Sequence, residues 1–185
     1  AHRGSVLGNL PDELQPSQKL FESLVWKALA GFEVSRPVYV EAESRRIGAL
    51  RVPEAMIEAM WASECLVLES PVAVRVELLK QEYAHFFDQV EDLTVKLGCL
   101  APMHGNATIE KWQALARAGN WNELTADLLV RHYDPAYTRA IAKHYPDLGR
   151  APRLELRDTS DASFKALARL CLDDSRFTIH GLRVS

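Results

Sequence analysis

The stretch RPVYVEAESRRIG, Arg36 to Gly48, decides how the rest of the chain is read. Pro37 opens a short apolar run, Val38 to Glu41, with the residue types of a buried strand. The run passes into Glu41, Glu43, Ser44, Arg45 and Arg46, which bring two carboxylates, a hydroxyl and two guanidiniums. A buried strand that finishes in such groups turns them toward a ligand, and the C-terminal edge of an open α/β sheet is where ligands bind. That edge is the expected site.

On the N-terminal side, Leu20, Leu24 and Ala28, flanked by Phe21, Val25 and Leu29, recur at helical spacing between Gln15 and Phe32. Pro16 suits the first turn and Gly31 the end, and Trp26, beside the stripe, is expected to pack. On the C-terminal side, Pro53 to Ala62 reads as a helix and Cys65 to Leu68 as a second apolar strand. Pro71 then starts a helix with Val72, Val76, Leu79, Tyr83 and Phe86 on one stripe. Helix and strand in alternation predict a parallel α/β sheet.

After Phe87 the pattern turns helical, with breaks expected at Gly105, Gly119 and Asp134-Pro135, where Asp134 is placed as an N-cap. Trp112 and Trp121 are expected in the core of this helical part. RLELR, Arg153 to Arg157, reads as a last strand and Asp161 to Leu172 as a closing helix. The division that follows is an α/β core over residues 1–87, a helical subdomain over 88–150, and the last strand and closing helix of the core over 151–185.

Composition bounds the function. The 185 residues make one domain, or one with a subdomain, and 48% apolar with 25% charged residues is ordinary for a globular chain. No apolar run approaches the roughly 18 residues of a membrane span, so no membrane partner is expected. Cys65, Cys99 and Cys171 are far apart and lack metal-ligand spacing, which favours reduced cysteines in the cytoplasm and no metal site. A net charge of −3 gives no overall attraction to nucleic acid, so an RNA contact needs a local basic patch. One candidate exists: Arg131, Arg139, Lys143, Arg150, Arg153 and Arg157, with His132 and His144, interleaved with Tyr133, Tyr137 and Tyr145. The tyrosines serve either base stacking or packing beneath a charged face.

Other residues have the chemistry to hold phosphate. Arg45 and Arg46 are permanently charged forks able to grip it in bidentate fashion, and Ser44 adds a hydroxyl. Gln15, Ser17, Gln18 and Lys19 open a helix, whose free N–H groups favour an anion, although Ser17 serves equally as a simple cap. Arg75 could reach a phosphate, or pair with Glu69 or Glu77. Glu41 and Glu43 alternate on an extended segment and so point to opposite faces.

The opening stretch resembles the P-loop half of the tRNA 2-selenouridine synthases. So do HRGSVLG (His2 to Gly8), QPSQKLFE (Gln15 to Glu22), LESPVAVRV (Leu68 to Val76) and KWQALARAGNW through RHYDPAY (Lys111 to Tyr137), in the same order. The resemblance reaches about Tyr145 and implies an incomplete P-loop NTPase-like parallel sheet with flanking helices and a C-terminal helical subdomain. It further implies that the chain is a C-terminal fragment, without the rhodanese domain that carries the catalytic cysteine and without the GxxGxGKT phosphate loop. Such a fragment is expected to be inactive alone and poorly stable. His2, Arg3, Gly4 and Ser5 would lie close to the phosphate loop as substrate or phosphate contacts, and one of Glu41 and Glu43 could take a Mg²⁺-water role.

The activity implied is the conversion of the wobble 2-thiouridine of tRNA to 2-selenouridine. Sulfur is first alkylated from geranyl pyrophosphate, then replaced by selenium from selenophosphate, while the basic subdomain, through Arg131, Arg139, Lys143 and Arg150, meets the tRNA. Whether a nucleotide or Mg²⁺ is bound stays open, as does the oligomeric state. Two rival readings also stay open: a P-loop kinase or ATPase acting on a small molecule, and a non-catalytic RNA-binding helical module.

Overall fold

The computed structural model describes residues 15–42 and 45–173. Helix α1 (Gln18–Ala30) begins where extended Ser17 accepts a hydrogen bond from the Leu20 amide, satisfying one of the N–H groups left free in a first turn. It ends at Gly31. None of its residues is buried: Leu20, Leu24 and Leu29 are about half exposed and Trp26 is 72% exposed. The expected packing of this stripe and of Trp26 is therefore not found.

What holds α1 is polar. The next element is a hairpin, β1 (Arg46–Ile47) and β2 (Leu50–Arg51), antiparallel with Ile47 opposite Leu50. Gln15 donates to the Ile47 carbonyl at 2.7 Å and accepts from the Ala49 amide at 2.9 Å, and Gln18 does the same with the Arg51 carbonyl and amide at 2.7 and 2.9 Å. Each carboxamide offers a donor and an acceptor as a peptide group does, so the two glutamines act as a short third strand.

The two-residue turn depends on Gly48, whose φ of +64° is open to glycine and strained for other residues. A Cβ at this position would lie 2.6 to 2.9 Å from the Gln15 carboxamide. Gly48→Ala is thus expected to lower stability by about 1–3 kcal/mol, combining left-handed strain with disruption of the Gln15 hydrogen bonds. Gln15→Ala removes only those hydrogen bonds and should cost less; urea denaturation of the two variants checks the order.

The strand expected at Val38 to Glu41 does not form. Residues 37–42 run without regular structure, Val38, Tyr39 and Val40 are 39 to 47% exposed, and the Tyr39 hydroxyl donates to the Cys171 carbonyl. A strand exists only by pairing with another strand, and among the described residues the paired strands do not include this segment. Of the polar groups that follow, Arg46 enters the hairpin as the first residue of β1.

The second expected strand does form. After helix α2 (Glu54–Trp61), strand β3 (Val67–Glu69) leads into helix α3 (Val72–Glu82). Helices α4 (His85–Asp88), α5 (Val90–Gly98), α6 (Ala101–His104), α7 (Asn106–Arg117) and α8 (Trp121–Leu128) follow. A π-helical segment (Leu129–Tyr133) joins α8 to α9 (Asp134–His144), and strand β4 (Arg153–Glu155) precedes α10 (Asp161–Asp173). Strand β4 pairs parallel with β3, Val67 opposite Arg153 and Glu69 opposite Glu155. The Ser70 hydroxyl extends the ladder by donating to the Leu156 carbonyl at 2.9 Å. Among the described residues the fold is therefore mostly helical with one small parallel pair, compatible with an α/β P-loop-like fold.

The main core lies among the helices, where Phe86, Leu93, Leu97, Leu100, Ile109, Trp112, Leu124 and Leu128 form one buried cluster. Trp112 is fully buried and Trp121 packs against the cluster, stacked on Phe87. Gly105 and Gly119, at φ +77° and +69°, end helical runs as expected. Asp134-Pro135 does not: Asp134 has helical angles, its side chain caps nothing, and its amide donates to Leu129 five residues back. The wider π turn absorbs a proline that in an α-helix would clash with the carbonyl four residues before it.

Candidate functional site

Arg45 and Arg75, both expected to hold phosphate, are each engaged with a carboxylate. Arg45 forks onto Glu54 at 2.8 and 3.1 Å, and its guanidinium lies 4.6 Å from the centre of the Trp61 ring. His144 stacks on the same indole, 4.1 Å between centroids and 6° between planes. A guanidinium and an imidazole thus both lie against the one indole ring. Arg75 forks onto Asp134 at 2.5 and 3.0 Å, with both side chains about one-third exposed, and pairs with neither Glu69 nor Glu77. Those two carboxylates bind Arg153 and Lys80.

The remaining candidates are spread out. Ser17 caps α1, Gln15 is committed to the hairpin, and Lys19 and Glu41 are exposed. Arg46 begins β1 with its side chain exposed. His2, Arg3, Gly4, Ser5, Glu43 and Ser44 lie outside the described residues. Among the described residues no group of three His, Cys, Asp or Glu side chains is placed to hold a metal ion, and no helix is long and apolar enough to cross a membrane.

The basic segment is less basic in space than in sequence. Arg131 pairs with Asp127 at 2.8 Å and Arg150 with Asp147 at 3.8 Å; Arg153 pairs with Glu69, and Arg157 with Glu155 at 2.9 Å. Asp127 and Glu69 lie outside the segment, so a local count of charges misses them. Arg139 and Lys143 make no ion pair among the described residues; they stand exposed on α9, one turn or about 6 Å apart. Tyr145 is buried and Tyr133 packs on the helical core, which leaves Tyr137, 46% exposed, as the segment's surface tyrosine.

Asp127 anchors this side of the molecule. It accepts from Trp112 Nε1 at 2.8 Å, Arg131 at 2.8 Å and Lys111 at 3.3 Å. Burial by itself would raise its pKa, but these hydrogen bonds together outweigh burial and hold the carboxyl below its usual 3.8.

Next to it, His104 Nε2 and His132 Nδ1 share a hydrogen bond of 3.0 Å between the end of α6 and the π-helix. Burial, then the neighbouring His104, depresses the pKa of His132 below its usual 6.5. The unfolded chain thus binds the proton more readily, and stability is expected to fall as pH drops from about 6.5 through the folded-state value. Thermal melts between pH 8 and 5 check this, and His132→Gln should flatten the decline.

Trp61 is a residue that pattern reading passes over. A lone tryptophan gives no sign of the helix that stacks on it, whereas Gln15 and Gln18, one turn apart, carry a detectable spacing. A family model described as the tRNA 2-selenouridine synthase AAA domain matches residues 1–98. No solved structure matches the chain.

Proposed function

The chain belongs to the tRNA 2-selenouridine synthases, a family of tRNA-modifying enzymes, and from that premise we propose that it holds both a phosphate-bearing donor and the tRNA during selenium insertion. The substrate is the wobble 2-thiouridine of the anticodon. Its sulfur attacks the first carbon of geranyl pyrophosphate and pyrophosphate leaves; the selenium of selenophosphate then bonds to C2 of the base, geranylthiol departs, and water cleaves the Se–P bond to release phosphate. Alkylation turns a poor sulfur leaving group into a good one, which is the chemical reason for the detour.

In this reading the donor phosphates are held by Arg45, Arg46 and Arg75, with His2, Arg3, Gly4, Ser5, Gln15, Ser17, Lys19 and Ser44 as further contacts and one of Glu41 and Glu43 in a Mg²⁺-water role. The tRNA backbone meets Arg139 and Lys143, with Arg131 and Arg150 as secondary contacts. The observation that carries it is the exposed pair Arg139 and Lys143, whose charge is not neutralised by a carboxylate among the described residues while that of their neighbours is. Helical cations one turn apart suit a phosphate backbone and carry no base specificity.

Fluorescence anisotropy of labelled tRNA with the 185-residue chain tests this. Binding is expected at low salt, weakening with added salt at roughly 0.7–0.9 logarithmic units per phosphate contact. Absence of binding at low salt, or binding indifferent to salt, would remove the reading.

A further inference from the structure

Two of the arginines read as donor contacts, Arg75 and Arg45, are tied to one helix, at its opposite ends. Asp134, which Arg75 grips, is the first residue of α9, and His144, which stacks on the Trp61 ring beneath Arg45, is the last. Between them α9 carries Arg139 and Lys143. These ties join segments remote in sequence: Arg75 lies in α3 and Trp61 in α2.

We infer that Asp134 and Trp61 are positioning residues through which anion occupancy at Arg75 and Arg45 is linked to the setting of α9 and its cationic face. This rests on the reading of the two arginines as donor contacts and of α9 as the tRNA face.

The physical reason is competition for the same donors. An anion arriving at Arg75 meets the Asp134 carboxylate already on the fork, and like charges there repel. Either the carboxylate leaves or both share a weakened site, and the start of α9 is loosened in each case. At Arg45 an anion that draws the guanidinium outward removes the cation from one face of Trp61 and leaves the indole held to His144 alone. Asp134 without its partner also stands little more than one turn before Arg139, where its charge opposes an RNA phosphate.

Linkage makes the effect reciprocal, so an anion that loosens α9 weakens tRNA binding, and tRNA weakens the anion by the same factor. The probe is inorganic pyrophosphate. Saturating pyrophosphate is expected to reduce tRNA affinity about fivefold and then to reach a plateau, because the two ligands occupy different residues. Asp134→Asn keeps the shape and removes the charge; it should raise pyrophosphate affinity in the absence of tRNA and shrink the coupling. Asp134→Glu should retain both. A role in packing alone would not raise pyrophosphate affinity.

Competition without a plateau, or a coupling factor unchanged in Asp134→Asn, would overturn the inference. Should Asp134→Asn fail to fold, amide hydrogen exchange of the unsubstituted chain decides. Residues 134–144 should exchange faster with pyrophosphate bound, and unchanged exchange there overturns the link. Failure of tRNA to bind at all removes the reading of α9 as the RNA face, while the exchange measurement still tests the tie between the anion site and the helix.

Discussion

Trp112→Ala is expected to destabilise the chain by about 3–5 kcal/mol, the range for removing a buried tryptophan. The side chain has no exposed surface and sits in the cluster with Leu97, Leu100 and Ile109, so its removal leaves a cavity that neighbours on three helices cannot collapse to fill. It also strips Asp127 of its one neutral hydrogen-bond donor, leaving Arg131 and Lys111 to satisfy it. Domains of this size are stable by only about 5–15 kcal/mol, so the change takes a large part of the total. Trp112→Phe keeps most of the apolar volume, removes the N–H donor, and should cost about 1–2 kcal/mol. Urea denaturation followed by circular dichroism separates the two; a destabilisation below about 1 kcal/mol in the alanine variant, far under the range for a buried tryptophan, would show that the helices are held elsewhere.

Reversing the α9 cations, Arg139→Glu with Lys143→Glu, is expected to weaken tRNA binding about 100-fold at low salt. The figure follows from roughly 1.4 kcal/mol for each of the two cation–phosphate interactions removed. The dependence on salt should flatten by about one to two phosphates' worth of slope. Arg157→Glu is the control. That guanidinium is already on Glu155 at 2.9 Å, and its reversal should change binding severalfold at most. Equal weakening in the two variants would mean that tRNA senses net charge rather than the face of α9. Since both α9 residues are exposed, stability should barely move, which keeps the result interpretable.

The charge pattern along the chain marks a basic segment but does not show which of its cations are already paired. Six cations between Arg131 and Arg157 read as a continuous patch, yet carboxylates from α8 and β3, outside that stretch, pair with two of them. Arg75 is a similar case. Its expected partners lie within six residues of it, whereas Asp134 reaches it across the fold and gives up the capping role that an Asp-Pro pair suggests. Side-chain chemistry marks which groups can hold an anion, but it does not say which of them another side chain already holds.

The sequence by itself determined several helix boundaries, because those signals are local: Ser17 before α1, Pro53 and Pro71 before α2 and α3, Gly105 and Gly119 at their breaks. It also determined the two runs that pair as β3 and β4, and the family. Only the tertiary structure decided that Val38 to Glu41 is not a strand, that Gln15 and Gln18 dock α1 onto a hairpin, and that Arg75 meets the start of α9 while Arg45 shares the Trp61 ring with its last residue. A strand needs a neighbour and an ion pair needs a partner, and each comes from residues far away in the chain.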